Sequence, residues 1–132
     1  MSKKLKKYLV ELVQYMEECG VQLQPYPSVK FDAQSVSAPY IYSPTGYYDP
    51  NKQHITLYTR NRHPKDILRS FAHELIHHNQ YLTGKLFSDV SETSYDPKYT
   101  QNNKHLRKME IEAYAKGNIL FRDWLDNKQY GR

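Results

Sequence analysis

The five residues His73-Glu74-Leu75-Ile76-His77 constrain this chain more than any other stretch, because two imidazoles stand four apart with a carboxylate beside the first. In an α-helix of about 3.6 residues per turn, His73 and His77 project from one face and can grip a single metal ion. Glu74 lies roughly 100° further round. With zinc at about 2.0–2.1 Å from each ring nitrogen, that carboxylate can take a proton from a metal-bound water instead of binding the ion. The same pattern also arises by chance on amphipathic helices whose histidines are only packed or solvated. The surrounding sequence therefore has to supply the helix and a third ligand.

The helix is predicted from about Pro64 to about Tyr81. Pro64 suits a first helical turn and Asp66 complements the helix dipole there. Ile67, Leu68, Phe71, Leu75 and Ile76 form an apolar stripe at helical spacing, and Gly84 offers a stop. The histidines stand beside that stripe, near the expected core.

At 132 residues the chain is expected to be a single domain, 1–132, with one core. Its mean hydropathy of -0.87 makes that core a modest one. The single cysteine, Cys19, has no internal disulfide partner, so nothing argues for an oxidising compartment and a cytoplasmic location is the expectation. No apolar run approaches a membrane span, and Glu11 interrupts the lysine-rich start before a secretory apolar region can form. The balance of 19 basic and 14 acidic residues, net +5, leaves contact with nucleic acid or an acidic partner open without establishing it. Much of the excess lies in Lys3, Lys4, Lys6 and Lys7. These precede Leu5, Leu9, Leu12, Val13 and Met16, which read as an N-terminal amphipathic helix closed by Gly20. A solvated lysine face is the simpler reading. A membrane-surface helix is the alternative, weakened by Glu11, Glu17 and Glu18.

Between Val21 and Pro50, five prolines forbid a long helix, while tyrosines and β-branched residues favour extended chain. Tyr40-Ile41-Tyr42 and Gly46-Tyr47-Tyr48 are short strand candidates, and Asp49-Pro50-Asn51-Lys52 has the composition of a turn. His54-Ile55-Thr56-Leu57-Tyr58 alternates, with Ile55 and Leu57 on one face and His54, Thr56 and Tyr58 on the other. A small antiparallel sheet ahead of the HExxH helix is therefore expected. Residues 88–103 are polar and rich in turn formers, and read as a long loop placed to cover a cleft or to serve only as surface.

A second long helix is expected from about Lys104 to about Asn127, carrying Glu110 and Glu112. Glu110 shares a face with Ala113, Tyr114, Gly117, Leu120, Phe121 and Trp124, small near the carboxylate and apolar beyond. Glu112 aligns with the mostly polar Lys116, Ile119, Arg122, Asp123 and Asp126, and suits an i,i+4 pair with Lys116. Small residues at 113 and 117 would let this helix approach the HExxH helix closely. Glu110 is accordingly the preferred third ligand, with Glu112 and His105 as the alternatives.

HExxH followed on a second helix by Glu-x-x-Ala resembles the gluzincin group of zinc metallopeptidases. The order of elements from Tyr40 to Trp124 is similar to the compact minigluzincin core of ImmA-type and SprT-like proteins, many of them phage-encoded. The resemblance implies an α+β fold in which a small antiparallel sheet packs on the HExxH helix and on a C-terminal glutamate-bearing helix. It implies one Zn²⁺ per chain held by His73, His77 and Glu110, with Glu74 as catalytic base, and a peptide or protein substrate. Two positions depart from the pattern. Tyr114 stands four after Glu110, where relatives often carry an acidic residue or asparagine. SprT-like proteins usually use a third histidine, for which only His105 is available. The metzincin pattern is absent, since Gln80 and Thr83 occupy its glycine and third-histidine positions.

The chemistry implied is hydrolysis of a peptide bond through a zinc-bound water activated by Glu74. Tyr95, Tyr99, Tyr114, His78 and His105 are candidates to steady the oxyanion, and an extended substrate is expected alongside His54–Tyr58. The rival reading is a zincin-fold binding module for nucleic acid or a protein partner, or a SprT-like protease acting near DNA. The oligomeric state stays open.

Overall fold

The computed structural model describes residues 3–33, 45–86 and 104–129. Its elements run α1 (Lys3–Glu18), β1 (Ser28–Asp32), β2 (Gly46–Asp49), β3 (His54–Tyr58), α2 (Pro64–Leu82) and α3 (Lys104–Gln129), an α+β arrangement. The expected strand at Tyr40-Ile41-Tyr42 and the expected loop at 88–103, with Tyr95 and Tyr99, lie outside the described residues. Among the described residues no helix is long and apolar enough to cross a membrane.

The three strands form one sheet in the order β1-β3-β2. It is mixed, not antiparallel as the sequence suggested: β2 runs antiparallel to β3, whereas β1 runs parallel to it. Four residues, Pro50 to Gln53, join β2 to β3, and a connection that short permits only a hairpin. Within it Asn51 N–H donates to Asp49 Oδ1 at 3.0 Å, the side-chain turn that an Asp-Pro-Asn run favours. The chain from β1 reaches β3 only after passing through β2, a connection long enough to return in the same direction. β1 itself was not singled out in the sequence, although Val29 and Phe31 alternate with Ser28, Lys30 and Asp32.

β3 is thus the central strand, hydrogen-bonded on both sides, and cannot accept an extended substrate as the sequence suggested. Ile55 and Leu57 are fully buried on one face, as the alternation requires. Thr56, expected on a wetter face, is buried as well. Tyr47 lies opposite it in register and Tyr58 follows two residues on, so both rings, 6.4 Å apart, share its face.

α1 buries Leu5, Leu9, Leu12 and Met16 against α2 and α3, which uses the apolar stripe in the core and leaves the four N-terminal lysines exposed. α2 begins at the predicted residue. Its N-cap is His63, whose Nδ1 accepts from Lys65 N–H at 3.0 Å, with Pro64 in the first turn. At the other end Gly84, at φ +81°, adopts the left-handed turn that lets Lys85 and Leu86 N–H return to Gln80 O. Arg62 ties this layer together: its guanidinium donates to Thr45 O, Tyr58 O, Asp66 O and Ser70 Oγ, joining the sheet to the first turns of α2.

α2 packs on β2 and β3 and, most extensively, on α3. The small residues of α3 make that second contact close. Ala113 is fully buried, and a Cβ placed on Gly117 would stand 3.1 Å from both Cα and N of His73. Those atoms are helix backbone and cannot swing aside. Gly117→Ala is therefore expected to destabilise the chain: the overpacking cost of about 1–3 kcal/mol exceeds the roughly 1 kcal/mol that alanine contributes through helix propensity. Urea unfolding of the two proteins measures the difference, and an unchanged or higher midpoint would mean that the helices can separate freely at this point.

Candidate metal centre

The close approach of α2 and α3 brings Glu110 over the two histidines of HExxH. His77 Nε2 lies 2.7 Å from Glu110 Oε1, and His73 Nε2 lies 3.3 Å from Glu110 Oε2. One donor atom from each of the three residues falls within 4.8 Å of the others. The rings of His73 and His77 meet edge-on with centroids 4.8 Å apart, as expected one helical turn apart.

The electrostatics follow from this contact. Burial alone would depress His77, but the hydrogen bond and the charge of Glu110 outweigh it and hold the imidazole above its ordinary value. Burial likewise acts to raise Glu110, and its hydrogen bonds to His73 and His77 overcome that, holding the carboxyl well below the usual range. Glu74 is buried next to this pair. Burial pushes its carboxyl up, opposed by His73 and His77 and reinforced by Glu110. Two carboxylates in one site thus have different proton affinities, because one is bonded to the imidazoles and the other is chiefly desolvated.

The other candidates are placed elsewhere. Glu112 is half-buried and accepts from Gln80 Nε2 at 2.9 Å, with Lys116 Nζ at 3.4 Å and Lys85 Nζ at 3.7 Å, so the predicted i,i+4 pair is present. His105 is exposed in the first turn of α3, its Nε2 against Lys85 O. His78 faces away from the cluster. Its Nε2–H donates to Pro25 O at 2.7 Å and to Leu23 O at 3.2 Å, so its Nδ1 accepts from Tyr48 O–H at 2.7 Å. Burial depresses this imidazole, which stays neutral as a tie between α2, β2 and the chain after α1. Tyr114 alone of the described oxyanion candidates stands at the cluster, its ring 4.4 Å from that of His73.

Comparison finds no matching family model, no matching curated protein and no matching solved structure.

The donor set itself answers whether a metal fits. Two imidazoles and one carboxylate suit zinc, and bonds of about 2.0–2.1 Å in a tetrahedron place donor atoms about 3.3 Å apart. The contacts at 2.7 and 3.3 Å use different oxygens of Glu110, and the set of one donor atom per residue spans up to 4.8 Å, so the three side chains need only small shifts to close on one ion. His73, His77 and Glu110 can therefore hold a metal ion, and one bound there would displace the proton shared by His77 Nε2 and Glu110.

Sequence reasoning missed two features of this centre. Gln80, noted only as a residue that breaks another pattern, is fully buried with its Oε1 2.8 Å from His77 Nδ1. Its position three after His77 on the same helix is the signal that was legible. His73 Nδ1 is the converse case, buried and without a hydrogen-bond partner among the described residues. Tyr114, at the place where the gluzincin resemblance expects an acidic residue or asparagine, packs a ring on His73.

Proposed function

We propose that this chain is a zinc-dependent metallopeptidase of the minimal gluzincin type, with His73, His77 and Glu110 holding the ion and Glu74 serving as the general base. The observation that carries the reading is Glu110 crossing from α3 onto both HExxH histidines while Glu74 is buried beside them and bonded to neither. Bound zinc would supply Lewis acidity to a water and to the substrate carbonyl.

Glu74 takes a proton from the attacking water, and the water oxygen bonds to the carbonyl carbon. The carbon–nitrogen bond then breaks as the same carboxyl returns the proton to the departing amine, leaving an acid and an amine. A carboxyl raised by burial suits both transfers, since proton exchange near neutral pH favours a group whose affinity lies closer to the working pH. Tyr114 packs its ring on His73 and is 61% exposed, so it is at once beside the cluster and open to solvent.

The test is metal content together with turnover. The purified chain is expected to carry about one zinc ion, and to cleave at least one member of a panel of denatured proteins in a reaction stopped by chelation and restored by zinc. Zinc retained in full after both His73 and His77 are replaced by alanine would place the ion elsewhere and end this reading.

A further inference from the structure

We infer that Gln80 is a positioning residue that sets the tautomer of His77, presenting its Nε2 to the metal, and that Glu112 serves the site by holding Gln80. The inference rests on the metal reading above and concerns how one ligand is oriented.

The hydrogen bonds leave the amide one orientation. Gln80 Nε2 lies 2.9 Å from Met109 O and 2.9 Å from Glu112 Oε1, a backbone carbonyl and a carboxylate, both acceptors. Only the NH₂ of the amide can face them, so its Oε1 must face His77 Nδ1 at 2.8 Å. An amide oxygen cannot donate. His77 Nδ1 therefore carries the proton, and once the ring is neutral the lone pair lies on Nε2, the atom against Glu110.

The same amide spans both helices. Met109 directly precedes Glu110, so Gln80 fastens the backbone of one ligand while it orients the ring of another. Glu112 is kept in place by Lys116 and Lys85 at the solvent edge, and the chain of contacts runs inward from there through Gln80 to His77. His73 has nothing equivalent at Nδ1 among the described residues. The order of the metal site thus depends unequally on its two histidines.

The test uses the full chain with Gln80→Leu, Gln80→Met and Gln80→Glu. Zinc affinity is read by competition with a chromogenic chelator, and nitrogen-15 NMR of the metal-free protein, taken above about pH 9 so that the raised His77 ring is neutral, reads whether its Nδ1 carries the hydrogen-bonded proton. The leucine variant is expected to lose that proton signal and to bind zinc about 10–100-fold more weakly. Methionine keeps the length without an amide and gives the same result if leucine does not fold. Glutamate restores an acceptor for Nδ1 but would set its second oxygen against Glu112, so it is combined with Glu112→Gln, whose amide can donate to it. The pair is expected to recover the signal and part of the affinity, which a merely structural role would not produce. A wild-type chain that binds zinc no more tightly than the leucine or methionine variant overturns this inference alone. A wild-type chain that has the His77 signal yet takes up no zinc overturns the metal reading and this inference with it.

Discussion

Glu110→Gln is expected to weaken zinc binding by more than about 100-fold, or over roughly 2.7 kcal/mol, because loss of a ligand must exceed the ~10–100-fold that loss of an orienting partner costs. Glu112→Gln should be mild, since the new amide oxygen still accepts from Gln80 Nε2 and only the pairs with Lys85 and Lys116 are lost. His105→Ala should be mild too, as its ring is against Lys85 O and not in the cluster. Chelator competition on the three variants at one pH measures all of this. A greater loss in Glu112→Gln than in Glu110→Gln would reverse the assignment, and a dominant loss in His105→Ala would favour a three-histidine site.

The metal-free chain gives the same residue a pH signature. Glu110 is depressed on folding, so its contribution to stability is present above its ordinary value of 4.5 and is lost as pH falls through the depressed one. His77 is raised, so its contribution is present below its ordinary value of 6.5 and is lost as pH rises through the raised one. Both are in force between 4.5 and 6.5. The stability difference between wild type and Glu110→Gln, measured by urea unfolding without metal, should be largest in that window and should shrink at alkaline pH.

Glu74→Gln is expected to keep zinc and fold while losing about 10²–10⁴-fold in kcat/KM. Glutamine matches the shape of the buried side chain but neither accepts nor returns the proton of the attacking water. The carboxyl it replaces is desolvated and makes no ion pair with His73 or His77 within bonding distance, so the ligands keep their positions. Metal content and peptide cleavage measured on one preparation separate the two roles. Loss of zinc with loss of cleavage would make Glu74 a ligand, and cleavage at the wild-type rate would remove it from the chemistry.

Much of the local structure was legible because it depends on neighbours in the chain. Pro64, Asp66 and Gly84 bound α2 to within a residue or two, and the apolar stripe of α1 enters the core as its spacing implied. That Glu110 and not Glu112 comes up against the histidines also followed from helix periodicity, since Ala113 and Gly117 mark the face that can approach another backbone. The sheet was read less well. A period-two pattern says which residues share a face but not which strand runs beside which, so β1 was passed over and its parallel pairing with β3 was unforeseen.

What the sequence by itself determined is the set of groups that can do chemistry and the helix faces on which they stand: His73, Glu74 and His77 on one helix, Glu110 with its small neighbours on another. What only the tertiary structure decided is how those faces meet. Glu110 reaches both imidazoles because Gly117 lets two backbones come within van der Waals contact. The same meeting fixes the Gln80 amide through Met109 O and Glu112 so that its oxygen faces His77, and leaves His73 Nδ1 with no partner among the described residues, a difference between two histidines that look equivalent in the chain. Helix periodicity orders side chains around one axis, whereas a hydrogen bond between helices depends on separation and rotation set by packing along their whole length.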